Sequence, residues 1–409
     1  MAVLQAHQQN TGQEWSILLE RIAFQGFVFT MLFPIKINIP FLGLLLVSIV
    51  INKRFGHIWQ TLRSNTVFIA ILLYYTTLVF SLLYSDDVIS GLKNLETKLA
   101  MLLLPCLLSA IPGIEKEKKL ILINFILGVM AVSIYSIIST IIVYRIDFSD
   151  WSYFSWVLPE TINLNSSQYS IFIVCALFFL IAEQIEKGLL NNIVAFILGL
   201  YLVGFLAFMS SRLALILFVL MTLGYFLVTL LKTKDKNKKK VLFLFSGVMI
   251  FMTIGSILFI PYLNDRMLQL VNGLGQDPRS FIFRAGFEIL KDNLFFGVGI
   301  GDIQNSLNEQ YQRLSFQEGI LNKFNAHNDW LASLLGAGLP GIISLTFVYY
   351  SYFKSALSTK NILAFAFPVF FLLASQTEAI LNRHKGVLLF MFLISVTCIN
   401  PIFKKESNA

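Results

Sequence analysis

One histidine lies where a hydrophobic run begins, and its position there predicts acid–base chemistry. His327 directly precedes the run NDWLASLLGAGLPG and is predicted to lie at the start of a helix. The positive end of a helix dipole favours the neutral imidazole, which can accept a proton from a hydroxyl group. The sequence thus predicts a general base at His327. The alternative is a histidine that only caps the helix or packs against it.

Two arginines lie at comparable boundaries. Arg212 follows two serines in FMSSRLALILF, where an arginine costs free energy unless it has a partner, a function or access to the lipid headgroups. Arg284 lies in DPRSFIFRAGFEILKDN, where Asp277 is predicted to cap a helix with Pro278 at its first position. Spacings of four, four and three place one polar stripe on this amphipathic helix: Ser280, Arg284, Glu288 and Lys291. A ligand site at Arg284 and a structural Arg284–Glu288 pair both fit this spacing.

Glycines mark two departures from regular structure. In FFGVGIGD, Gly297, Gly299 and Gly301 do not fit G-x-G-x-x-G and no strand precedes them, so no nucleotide site is predicted. They indicate a loop with close backbone approach, or a backbone nest for an anion. A second group interrupts the run after His327: Gly336, Gly338, Pro340 and Gly341. A broken membrane helix must be buried in protein or line a cavity, so we expect a pocket beneath His327.

Other residues are candidates for supporting roles around this pocket. They are Glu288, Gly299, Asn328, Asp329, Gly338, Gly341, Glu378 and Arg383. TEAILNRHKG supplies the last two together with His384, for which ordinary loop charge is the alternative. No cysteine, second histidine or carboxylate lies at metal-ligand spacing from His327, so neither a metal nor another cofactor is predicted.

The composition places these residues in a membrane protein. Of 409 residues, 56% are hydrophobic and 13% are charged, whereas about a quarter of a soluble domain is charged. Many apolar runs reach the roughly 20 residues that cross a bilayer. The net charge of +8 does not indicate nucleic-acid binding, because Lys and Arg lie in short loops beside apolar runs. The chain is therefore predicted to be an all-α polytopic membrane protein.

We expect about twelve transmembrane helices in one integral membrane domain. Residues 1–261 contain nine, residues 262–327 form a large polar loop with amphipathic helices, and residues 328–409 contain three. The predicted spans are 16–34, 39–52, 65–83, 97–111, 119–143, 167–184, 190–209, 212–231, 240–261, 328–353, 361–377 and 386–400. No cleavable signal is predicted, since the first fourteen residues contain no Lys or Arg.

The distribution of basic residues predicts the orientation. With the N-terminus in the cytoplasm, the short cytoplasmic segments hold more than half of the 31 Lys and Arg, including KTKDKNKKK and the C-terminal Lys404 and Lys405. The positive-inside rule therefore places both termini in the cytoplasm and the loops 85–98, 145–165 and 262–327 outside. KTKDKNKKK could contact anionic membrane lipid or serve only as a stop-transfer anchor.

The order of these features resembles the O-antigen ligase family, which shares a region with some O-antigen polymerases and bacterial O-oligosaccharyltransferases. The resemblance rests on Ser211–Arg212 at a helix start and on Arg284 followed by Gly297-x-Gly299. His327–Asn328 followed by Gly338-x-x-Gly341 completes the set. The motifs cover roughly residues 205–345, and the helix count and loop plan extend over the chain.

The resemblance implies a GT-C-like glycosyltransferase of lipopolysaccharide biosynthesis in the bacterial inner membrane. Its donor would be a glycan linked to undecaprenyl pyrophosphate, and its acceptor lipid A-core or another glycan at the periplasmic face. By resemblance, Arg212 and Arg284 would bind the pyrophosphate and His327 would activate the acceptor hydroxyl, with inversion and without a metal. Guanidinium groups suit this role because they bind phosphate in a bidentate manner.

Other functions also fit the sequence. Within the enzyme class, a polymerase that extends repeat units or a protein O-oligosaccharyltransferase would use the same donor chemistry. A secondary transporter also has many helices and broken segments, but its sites lie near the membrane midplane, whereas the polar residues here gather at one face. A non-enzymatic scaffold would not need two boundary arginines and a histidine over a broken helix.

Overall fold

The computed structural model describes residues 2–144, 151–187, 190–232, 234–259, 264–265, 268 and 278–402. The chain is 83% helical, and the described part contains no strand. This confirms the predicted all-α polytopic membrane fold. Asp277, Lys404 and Lys405 lie outside the described residues, so the predicted cap at Asp277 and the C-terminal tail remain predictions.

Eighteen α-helices follow one another in the described part of the chain. Their bounds are α1 Ala2–Thr30, α2 Ile35–Ile51, α3 Phe55–Leu62, α4 Thr66–Ser81, α5 Val88–Lys98, α6 Ala100–Ser109, α7 Lys118–Tyr144, α8 Trp151–Glu160, α9 Ser166–Lys187, α10 Asn192–Met209, α11 Arg212–Lys232, α12 Lys236–Phe259, α13 Pro278–Asn293, α14 Ile303–Arg313, α15 Gln317–Leu321, α16 Asp329–Ser358, α17 Ile362–Ala374 and α18 His384–Ile394. A helix corresponds to each of the twelve predicted spans.

Five helical segments of the described chain are long and apolar enough to cross a membrane. They are Thr66–Tyr84, Ile114–Val143, Asn192–Met209, Arg212–Lys232 and Asp329–Ser358. The pair α2 and α3, bent by 103°, makes a sixth if it forms one span. Shorter apolar helices, including Ile362–Ala374, lie among these. The count of twelve transmembrane helices therefore remains a prediction.

Several helices begin where the sequence supplies a capping side chain. Asn65, Asn191 and Asn361 each accept hydrogen bonds from backbone N–H groups of the helix that follows. These bonds satisfy donors that have no partner inside the helix. Pro278 opens α13 as predicted, where its missing N–H costs nothing.

The predicted outer loops contain helices of their own. Loop 85–98 is largely α5, which begins after the cap at Asp87, and α8 lies within loop 145–165. The predicted amphipathic helices of the large loop are α13, α14 and α15. These three pack on the first turns of α16 through a separate small hydrophobic cluster that includes Ile282, Leu307 and Leu331.

The loops predicted to share a side of the membrane contact one another. On the predicted outer side, the Asp302 carboxylate accepts hydrogen bonds from the backbone N–H groups of Asp86 and Asp87 at 2.8 and 2.9 Å. Lys385 donates there to the carbonyl of Leu32. At the opposite end, Asn400 donates to the carbonyl of Ile111 at 2.8 Å. The bundle thus has one polar end that is built from the loops around His327.

Candidate functional site

The backbone holds His327 in an uncommon conformation. Its φ is 45°, in the left-handed region, which costs a non-glycine residue roughly 1–2 kcal/mol. On one side, its N–H donates to the Asn325 side-chain oxygen at 2.9 Å. On the other, Asn328 caps α16 by accepting from the N–H groups of Trp330 and Leu331 at 2.8 and 2.9 Å. His327 therefore lies one residue before the helix cap, as predicted, and its orientation is fixed from both sides.

Glu378 is the acidic partner of this histidine. Its Oε2 lies 3.9 Å from Nδ1 of His327, and the two side chains are 6% and 26% exposed. This separation is an electrostatic contact and is too long for a hydrogen bond. The sequence offered Glu378 as a candidate for the pocket mouth, with ordinary loop charge as the alternative. The contact and the burial favour a site residue.

Three further groups act on Glu378. Its Oε1 lies 3.4 Å from Nη2 of Arg279, at the start of α13, and the Ser167 side chain, at the start of α9, is close enough to lower the pKa of Glu378. Burial raises the pKa of Glu378, while Arg279, Ser167 and Arg383 oppose this rise. Charged hydrogen bonds compensate for the loss of water around a buried carboxylate. The carboxylate therefore joins segments that are far apart in the chain.

Asn328 and Asp329 hold the loop that carries Glu378. The side-chain amide of Asn328 donates to the carbonyl of Gln376 at 2.9 Å. The buried carboxylate of Asp329 accepts from the N–H groups of Ile380 and Leu381 at 3.1 and 2.9 Å. Bonds on both sides of residue 378 thus fix its carboxylate relative to His327. Asn328 and Asp329, both predicted to support the site, thus position Glu378.

The two predicted arginines occupy the same end of the bundle but differ in surroundings. Arg284 is exposed on α13, and among the described residues it makes no ion pair within 4 Å. Arg212 is half-buried at the first position of α11, as predicted from Ser211–Arg212. Helix α11 packs against α17, which ends just before the loop of Glu378. The geometry leaves the Arg284 guanidinium open to a ligand.

The Arg284–Glu288 pair, one of the two interpretations that fit the spacing, is not formed, because Glu288 pairs with a different residue. Glu288 Oε2 lies 2.6 Å from Nζ of Lys291, one turn further along α13, and this hydrogen bond lowers the pKa of Glu288. Arg284 contributes only a weaker electrostatic effect on the same carboxylate. Glu288 therefore belongs to a surface pair, and Arg383 is likewise exposed.

Residues 294–302, here called the glycine loop, fill the break in α16. Gly338 has φ 61° and ψ −148°, which interrupts the helix. The N–H of Leu339 donates to the carbonyls of Leu294 and Phe295, each at 3.1 Å, and the carbonyl of Leu335 accepts from Val298 at 2.7 Å. The backbone groups that the break releases thus find partners in the glycine loop.

The close approach predicted for these glycines is present. A Cβ atom on Gly297 would lie 2.4 Å from the carbonyl oxygen of Leu335, and one on Gly299 would lie 2.3 Å from the Ser85 hydroxyl. At Gly341 it would lie 2.4 Å from the carbonyl oxygen of Ser333. Backbone of the glycine loop occupies the space at the break itself, and the expected pocket beneath His327 stays a prediction.

Arg279 was missed in the sequence, although it lies beside the proline that opens α13. In the described ranges, no three His, Cys, Asp or Glu side chains come together as metal ligands would. The neighbourhood of His327 thus contains its imidazole, the buried carboxylates of Glu378 and Asp329, and arginines on adjacent helices. Such a set suits proton transfer beside an anionic ligand.

The fold and this end of the bundle define a multi-pass membrane protein with a polar site above a broken helix. Residues 194–346 match the family model described as O-antigen ligase. This region relates the chain to that family and confirms the predicted resemblance; it includes Arg212, Arg284 and His327. The family indicates an enzyme of the glycosyl-transfer type, with ligase or polymerase activity. No curated protein matches the chain.

Proposed function

We propose that the protein transfers an O-antigen-type glycan from undecaprenyl pyrophosphate to a hydroxyl of lipid A-core. The observation that carries this proposal is the meeting of His327 and Glu378 at one end of the bundle, within and beside the family-matched region. The site lies at the predicted outer face, so the reaction would occur on the periplasmic side of the bacterial inner membrane, with both termini in the cytoplasm.

In the proposed reaction, His327 accepts the proton of the acceptor hydroxyl. The hydroxyl oxygen forms a bond to the anomeric carbon of the glycan while the bond from that carbon to the pyrophosphate oxygen breaks. The electron pair leaves with undecaprenyl pyrophosphate, and the proton remains on the imidazole. Attack opposite the leaving group inverts the anomeric centre. A positioned base contributes roughly 10²–10⁴ in rate.

Glu378 is proposed to support the histidine during this step. Its carboxylate faces Nδ1 of His327, which leaves Nε2 for the acceptor. As the imidazole gains a proton, a carboxylate about 4 Å away stabilises the new positive charge. The Arg279 and Ser167 contacts keep the carboxylate in place. In catalytic triads, an acidic residue stabilises the protonated histidine in the same way.

Arg212 and Arg284 are proposed to bind the pyrophosphate. The leaving group accumulates negative charge as its bond to the sugar breaks, and fixed guanidinium groups stabilise such charge without a metal. The exposed Arg284 guanidinium supports this assignment, because it is not engaged by Glu288. Polar residues near the membrane surface also suit a donor whose polyprenyl chain remains in the bilayer. A polymerase or a protein O-oligosaccharyltransferase is the alternative within the same chemistry.

Deletion of the gene, with complementation by the wild type or by His327→Ala, tests the proposal. We expect His327→Ala to accumulate in the membrane and bind the lipid-linked donor, yet to transfer glycan at least a hundredfold more slowly. Lipopolysaccharide gels should then show core without polymer, with the polymer retained on carrier lipid. Core bearing a single repeat unit would identify a polymerase. Unchanged lipopolysaccharide with altered glycoproteins would identify an oligosaccharyltransferase, and activity within a few-fold of wild type would exclude His327 as the base.

A further inference from the structure

A cavity lies at the end of the bundle opposite the candidate site. It has a volume of about 440 Å³ and is bounded by α1 and the start of α7. Helix α1 approaches the loop of the candidate site at its far end, where Leu32 contacts Lys385. Lys116, which lines the cavity, lies between the predicted spans 97–111 and 119–143, in a segment that is predicted to be cytoplasmic. The cavity therefore belongs to the predicted cytoplasmic face.

The cavity has an excess of positive charge. Three cationic side chains line it, Arg21, Lys116 and Lys119, against the single carboxylate of Glu117. That carboxylate is already engaged by Arg21 and by the Gln25 amide, which donates to it at 2.7 Å. Lys116 and Lys119 are exposed, and within the described ranges neither enters an ion pair. Two lysines thus remain available to an anion.

The wall of the cavity is apolar below this cationic rim. Leu120 and Ile123 line it, and Leu120 is 48% exposed. The exposed Leu127 continues the same face of α7, two turns below Leu120. Ile22 is exposed on α1 beside Arg21. Helix α7 belongs to a segment that is long and apolar enough to cross a membrane, so this apolar strip runs toward the bilayer interior.

We propose that this cavity binds the phosphate headgroup of an anionic phospholipid, with an acyl chain along α7. Basic pockets between transmembrane helices at the cytoplasmic side recognise such headgroups. The cationic rim alone would also attract free phosphate, but the apolar strip of Leu120, Ile123 and Leu127 beside the rim favours a ligand that carries an acyl chain. The binding is independent of glycan transfer, which occurs at the other end of the bundle.

Lipid retention by the purified full-length protein tests the proposal. Native mass spectrometry would compare phosphatidylglycerol with phosphatidylcholine of identical acyl chains. The test variant is Lys116→Gln with Lys119→Gln, which leaves the Arg21–Glu117 pair intact. The matched control is Lys354→Gln with Lys360→Gln, which removes two exposed charges from the same predicted face. Thermal unfolding should show that both variants remain folded.

We expect the wild type and the control to prefer phosphatidylglycerol, and the test variant to bind it roughly thirtyfold more weakly. That factor corresponds to about 1 kcal/mol for each of two cations. An unchanged preference in the test variant would overturn the proposal, as would an equal loss in the control. If inorganic phosphate at matched concentration displaces the lipid as well as phosphatidylglycerol itself does, the site is one for free phosphate and the lipid assignment fails.

Discussion

Replacing Glu378 by glutamine tests whether its carboxylate acts on His327 through charge. Glutamine has the same shape and retains an oxygen that can accept from Ser167 and Arg279. The substitution therefore removes the negative charge and changes little else in the surroundings. If the carboxylate stabilises the protonated histidine, transfer should slow while donor binding remains. If it only holds Arg279 and the loop in place, transfer should change little.

The distance between the Glu378 carboxylate and the His327 imidazole determines how much the substitution should slow transfer. Oε2 of Glu378 lies 3.9 Å from Nδ1 of His327. Two unit charges at about 4 Å interact with about 1 kcal/mol in bulk water and about 4 kcal/mol at the effective dielectric constant of about 20 near a protein surface. These limits correspond to a rate loss between about fivefold and about a thousandfold. Because the carboxylate is nearly buried, we expect the loss to lie in the upper part of this range, near a hundredfold.

The assay is glycan transfer from the lipid-linked donor to lipid A-core, measured against pH. If His327 is the base, activity should fall at acidic pH as its imidazole is protonated, and the neighbouring carboxylate of Glu378 should favour that protonation. In Glu378→Gln this acidic limb should therefore move to lower pH. Glu318→Gln, which removes an exposed carboxylate of α15, serves as the matched control. Activity within twofold of wild type, with an unmoved acidic limb, would refute the electrostatic role of Glu378.

Three further predictions follow from features described above. Arg284→Lys should lose most activity with its charge kept, because an ammonium cannot reproduce a bidentate guanidinium contact; near-normal transfer would indicate a structural role. Gly338→Ala should lower stability by at least about 1–3 kcal/mol, since φ is 61° and the added Cβ would lie 2.3 Å from a glycine-loop carbonyl. Thermal unfolding should show little change for the control Gly224→Ala, whose Cβ meets no atom within 4 Å. Single cysteines at the exposed Lys234 and Glu309 should label from opposite sides of the membrane; labelling of both from one side contradicts the orientation.

Features that depend only on residues a few positions apart in the chain could be predicted from the sequence. The helix that begins at Pro278, the helix that begins at Arg212 and the interruption at Gly338 are each encoded within a few positions. Capping preferences, fixed proline φ and the glycine backbone act locally. The position of His327 before a helix cap could be predicted for the same reason.

Contacts between distant segments could not be predicted in this way. Arg279 and Glu378 are separated by 99 positions in the chain, and spacing on one helix says nothing of a partner on another loop. The glycine motif predicted close backbone approach but not the segment that approaches. The interruption of α16 suggested a pocket. In the structure, backbone of residues 294–298 fills the interruption.

The hydrogen bonds between the glycine loop and the break in α16 have a consequence for biosynthesis. Residues 294–302 are synthesised before Leu335 and Leu339, whose backbone groups complete the loop's hydrogen bonds. The glycine loop therefore cannot reach its final form until the following helix, α16, has been made and inserted. Chains that stop before α16 would lack these partners, so the glycine loop is complete only once α16 is in place.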